Sequence, residues 1–77
     1  MTGLRIFVHP DTRGQGEVFY TQRSYGPIYR WNYEEQLDRW HVVRVDALTS
    51  SAKELCAARW NSVPLGLKAQ LSEHYVE

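Results

Sequence analysis

Cysteine occurs once in this chain, at Cys56, and that excludes an internal disulfide. Small secreted domains commonly rely on bridges, so a lone thiol points to a reducing compartment. An excess of charge of one sign is also missing. Nine Lys and Arg balance nine Asp and Glu, and the formal net charge is zero. A protein that coats nucleic acid is normally clearly basic, which disfavours that class without excluding a local basic patch. Neutrality also gives little protection against self-association. No apolar run approaches membrane-spanning length, and Met1-Thr2-Gly3-Leu4-Arg5 lacks the apolar stretch of a secretion signal. No repeat, linker or low-complexity tract divides the 77 residues. Together these absences predict one small cytoplasmic domain over residues 1–77 that does not engage a membrane.

Aromatic side chains are plentiful: three Trp, five Tyr and two Phe. Most of them lie between Phe19 and Trp40, which marks that segment as the folding centre. A stretch that can bury so much surface does not stay disordered. In a domain this small, burial barely exceeds the entropy of ordering the chain, so each large ring matters and association would help.

Four stretches alternate polar and apolar in strand period: Leu4–His9, Glu17–Arg23, Ile28–Tyr33 and Arg39–Val45. Pro10 cannot donate to a ladder and closes the first. Asp11-Thr12-Arg13-Gly14-Gln15-Gly16 reads as a polar loop; Gly14-Gln15-Gly16 precedes a strand and not a helix, so it is a turn and not a phosphate cradle. Ser24-Tyr25-Gly26-Pro27 turns the chain, with Gly26 expected to supply positive φ. Glu34–Asp38 lacks glycine and suits a longer hairpin loop. Short connections favour antiparallel neighbours, hence an up-and-down meander.

After Asp46 the period changes. Ser51-Ala52-Lys53-Glu54 is a capping-box pattern, and Ala52, Leu55, Cys56 and Trp60 stand at helical spacing, predicting a first helix. Ser62 as N-cap and Pro64 in the first turn predict a second helix, with Val63, Leu67, Leu71 and Tyr75 as its inward stripe. Gly66 weakens that helix by about 1 kcal/mol relative to alanine. Two amphipathic helices need a surface to cover. The expected fold is therefore α+β in two layers: a meander of three to four antiparallel strands with two C-terminal helices packed on one face, Trp31 and Trp60 meeting in the core.

Catalytic, cofactor and metal motifs are lacking. His9, His41 and His74 are not paired with other ligands at three- or four-residue spacing, so no metal site is predicted. Glu34, Glu35 and Asp38 sit at a hairpin tip, where carboxylates are wet and do no acid–base work. Cys56 on a helix stripe reads as core filler. No cofactor is expected, and the protein is not expected to be an enzyme.

What remains is a patterned sheet. Residues two apart in a strand share a face. The strand period therefore sorts Leu4, Ile6, Val8, Val18, Tyr20, Tyr29, Trp31, Tyr33, Val43 and Val45 to one side. It sorts Arg5, Phe7, Phe19, Thr21, Arg23, Arg30, Asn32, Trp40 and Arg44 to the other. Arginines among aromatic rings are the composition of interface anchors. Arg5, Phe7, Phe19, Arg23, Arg30, Trp40 and Arg44 are accordingly the candidate partner-binding residues. The expected role is a protein-interaction or self-assembly module, with a protein partner or a second copy of itself in a homo-oligomer. The alternative is a weak single-stranded nucleic-acid binder, with bases stacking on Phe19 and Trp40 and arginines meeting phosphates.

Overall fold

A computed structural model describes residues 3–10 and 17–76. Four strands of equal length match the alternating stretches: β1 (Leu4–Pro10), β2 (Glu17–Arg23), β3 (Ile28–Glu34) and β4 (Arg39–Val45). A fifth, β5 (Lys53–Glu54), is two residues long. A 3-10 segment, Ala57–Ser62, and one α-helix, α1 (Leu65–His74), complete the elements among the described residues. The sheet is antiparallel with strand order β4-β3-β2-β1-β5. The polar loop 11–16, with its Gly14-Gln15-Gly16 turn, lies outside the described residues.

The expectation of three to four strands and two helices is corrected here: among the described residues there are five strands and a single α-helix. The capping-box segment is where the two readings part. Glu54 pairs in register with Phe7 and Lys53 with Val8, and the Leu55 amide donates to the Ile6 carbonyl at 2.8 Å. The Arg5 guanidinium grips both Glu54 carboxylate oxygens at 2.9 and 3.0 Å. The carboxylate that would have closed a capping box is thus engaged across the sheet, and the segment protects part of the free edge of β1. Between β5 and Pro64 there is room only for the short 3-10 segment. Helical spacing over so few residues does not distinguish these outcomes.

The second expected helix does form. Pro64 stands at its N-cap position with no side-chain cap, while the Ser62 hydroxyl donates to the Arg59 carbonyl instead. Leu67 and Leu71 are wholly buried and, with Val63, seal Ile6, Phe19, Trp31 and Trp40. Trp31 is 1 % exposed, whereas Trp60 packs only half-buried at the rim of the core, with Lys68 Nζ 5.3 Å from its ring centroid.

A buried polar relay pins helix to sheet. The Trp31 indole N–H donates to Thr21 Oγ1 at 2.9 Å, and that hydroxyl meets the Tyr75 hydroxyl at 2.7 Å. Thr21 is fully buried, so the relay keeps both it and the indole satisfied away from water. The turn between β2 and β3 differs from expectation: Ser24, not Gly26, takes the positive φ (55°). Gly26 is needed for close approach, because its amide donates to the Arg23 carbonyl at 2.9 Å and a Cβ there would stand 3.0 Å from that oxygen.

Register redistributes the two faces. Val8 stands opposite Phe19, Phe19 opposite Trp31, and Trp31 opposite Val42. The helix-covered face therefore carries Ile6, Phe19, Thr21, Trp31, Trp40 and Val42. β1 and β3 bury the expected side chains, but β2 and β4 are turned over. Each of these two strands has apolar residues at both parities, Val18 and Tyr20 against Phe19, Val43 and Val45 against Trp40 and Val42. Period alone cannot choose between them, and a one-residue offset inverts a strand. Placing Phe19 and Trp40 under α1, ring centroids 5.7 Å apart and edge to face, buries the larger rings.

Candidate interaction surface

The seven candidate residues do not share one surface. Arg5, Phe7 and Arg30 lie on the face opposite α1; Phe19 and Trp40 are core residues beneath it. Arg23 and Arg44 fall at the ends of β2 and β4 on the helix side, in register with Leu4 and Tyr29, half-buried and exposed respectively. The expectation of exposed aromatic anchors is corrected for all three rings. Phe7, Phe19 and Trp40 are each less than a tenth exposed. Phe7 is buried without help from α1: it lies beside Tyr20 across β1 and β2, with the Arg5 guanidinium 5.0 Å from its ring centroid.

The open face consists of cross-strand rows. One runs Val43, Arg30, Tyr20, Phe7, Glu54, and the next Val45, Ile28, Gln22, Arg5. Ile28, Val43 and Val45 are half-buried and adjoining, and Arg30 beside them is exposed. At the β5 end the Arg5–Glu54 pair closes the rows. Hydrogen bonding to Arg5 holds the Glu54 carboxyl below the usual carboxylate range, and the same bond raises Arg5.

Two of the hairpin-tip carboxylates have local partners. Glu34 Oε1 lies 3.1 Å from His41 Nδ1, and Asp38 accepts from the Tyr33 hydroxyl, a bond that raises the Tyr33 phenol. Asp38 also takes a left-handed backbone (φ 49°), which aspartate tolerates. His41, in β4, is exposed. His74, the last residue of α1, packs edge-on against Tyr29, Trp31 and Tyr75, with centroids 4.5, 5.3 and 4.8 Å away. Cys56 is exposed rather than core filler. It lines an open cleft of about 710 Å³ between β1, β5 and the 3-10 segment, walled by Leu4, Ile6, Leu55, Trp60 and Val63. Among the described residues, no three His, Cys, Asp or Glu side chains gather closely enough to hold a metal ion. Nor is any helix among them long and apolar enough to cross a membrane.

The feature that strand period does not reveal is the outer edge of β4. Gln70 reaches across from α1 and holds the Trp40 backbone at both groups. Its Oε1 accepts from the Trp40 amide at 2.7 Å, and its Nε2 donates to the Trp40 carbonyl at 2.9 Å. A glutamine beside the Leu67 and Leu71 stripe was the only sequence signal for this clamp, and only the helix's position over β4 gives it meaning. Comparison with protein-family models, curated proteins and solved structures gives no match.

Proposed function

We propose that this protein is a small, cytoplasmic, non-enzymatic module for protein interaction or self-assembly, docking through the part of the open sheet face nearest β4. One observation carries the reading. Ile28, Val43 and Val45 stand together there half-buried, Val45 opposite Ile28 and Val43 opposite the exposed Arg30. Aliphatic side chains beside an arginine suit an interface that excludes water at its centre and stays polar at its margin. Zero net charge adds no long-range repulsion between copies, and the lone Cys56 suits a reducing compartment. Nucleic-acid binding relied on Phe19 and Trp40 as stacking rings. Both lie beneath α1, and no other observation favours that reading.

Light scattering, with retention of partners from native lysate before and after nuclease treatment, tests the proposal. Each measurement is repeated on Val45→Asp. A mass above monomer, or a stoichiometric protein partner that survives nuclease and is lost in the variant, supports it. A monomer that retains nothing, or only nuclease-sensitive material, overturns it.

A further inference from the structure

The geometry points to a second copy of this chain as the partner, joined edge to edge through β4 so that two five-stranded sheets become one. This rests on the interaction-module reading and gives it a partner at the β4 edge that borders the open face. β4 is an outermost strand, seven residues long, and its pairing with β3 runs unbroken from Glu34–Arg39 to Ile28–Val45. It carries the charged Arg39 and Arg44 but neither a proline nor a bulge, two of the devices that blunt such an edge. The other outermost strand, β5, is only two residues long.

The direction of the backbone groups follows from the pairing with β3 and is read from the Gln70 clamp. Gln70 occupies both the amide and the carbonyl of Trp40, so Trp40 presents them away from β3. Successive residues of an antiparallel strand alternate in this respect, so Val42 and Arg44 also present theirs outward. Among the described residues these groups have no partner. Gln70 closes one end of the edge and leaves a window of two outward residues.

That window is self-complementary in one register. A two-fold axis at Val43 sets Val42 against Arg44 of the second copy and Arg44 against its Val42, giving four backbone hydrogen bonds and leaving the clamp intact. An axis at Val42 would require the Trp40 backbone, which Gln70 already holds. An axis at Arg44 would oppose two arginines directly, which is destabilising. With the axis at Val43, His41 faces Val45 of the other copy and the two Val43 side chains meet on the open face, extending the aliphatic strip. Because the interface uses the same edge of both copies, it closes at two and does not propagate.

Sedimentation equilibrium from low to high micromolar tests this, with thermal melts to show that every variant folds. The wild type is expected to be a dimer. Arg44→Pro removes an outward amide without touching the bonds to β3, and should weaken dimerisation about tenfold or more, since symmetry deletes two bonds. Val43→Glu and Val43→Lys each set like charges opposite one another at a Cα separation of about 4.5 Å and should be monomeric. An equimolar mixture of the two should recover the dimer, which only a 43-to-43 contact allows. A monomeric wild type overturns the second copy as partner and leaves the module reading standing with a different protein as its partner. A dimer indifferent to Arg44→Pro, or a mixture that stays monomeric, overturns the β4 edge and the register while self-assembly survives.

Discussion

The two faces of this sheet bury their aromatic rings by different means. Under α1, Phe19, Trp31 and Trp40 are sealed by Leu67, Leu71 and Val63, and the polar groups there are paired through Thr21 and Tyr75. On the opposite face Phe7 and Tyr20 are just as inaccessible, at 6 % and 3 % exposed, although α1 lies on the other side. They lie side by side at the centre of the sheet, and the Arg5 guanidinium lies over Phe7. The first arrangement depends on residues far apart in sequence meeting in three dimensions. The second brings together residues of adjacent strands. The helix-covered face should therefore be the part whose disruption unfolds the protein, and the margin of the open face, away from Phe7 and Tyr20, the part that tolerates change and is left to meet a partner.

The largest expected effect tests that division directly. Trp31→Ala should cost about 3–5 kcal/mol, most of the stability of a domain this small. Val18→Ala, at a half-buried position on the open face, should cost about 1 kcal/mol or less. Urea denaturation of both variants decides it, and equal losses would erase the distinction between the faces.

An intermediate effect sharpens it. Thr21→Val keeps the side-chain shape but strips the hydroxyl between Trp31 and Tyr75. It should cost about 1–3 kcal/mol, because a buried indole N–H is left without a partner. Unchanged denaturation would show that the relay contributes nothing beyond packing. The variant should also alter the Tyr75 titration, monitored by ultraviolet absorbance. Burial pushes that phenol up, and the Thr21 hydrogen bond partly opposes the rise. A raised phenol stabilises the fold at pH below the usual tyrosine range, and that contribution is lost as pH climbs through the folded-state value.

The smallest effect belongs to the exposed Arg5–Glu54 pair. The Glu54 carboxyl is lowered in the folded state, chiefly by its hydrogen bond from Arg5. Its contribution is therefore present above the usual carboxylate range and lost as pH falls through the folded-state value. Melting temperatures of wild type and Glu54→Gln should differ slightly at neutral pH, the wild type higher, and converge in acid. Added salt should narrow the neutral-pH gap because the pair is exposed. A gap that persisted in acid would mean that Glu54 acts through packing instead of charge.

Much of this structure was legible in residues that act locally. Strand alternation with Pro10, Ser24–Pro27 and the Glu34–Asp38 turn placed four strands in antiparallel succession. Pro64, with Leu67 and Leu71 after it, placed the helix. Those signals depend on backbone geometry within a few residues and need no distant partner. The inward faces of β2 and β4 were not legible, because both parities carry apolar groups and only the volume offered beneath α1 selects Phe19 and Trp40. Nor was the fate of residues 51–62 legible. Their helical spacing was outweighed by the open edge of β1 and by an arginine 49 positions away in sequence from Glu54. The candidate surface failed as a unit for the same reason: alternation determines which residues of a strand share a side, whereas tertiary packing decides which side is buried. Gln70 on the Trp40 backbone exists only because α1 lies across the sheet at that strand, and that clamp limits the open edge of β4 to two outward positions.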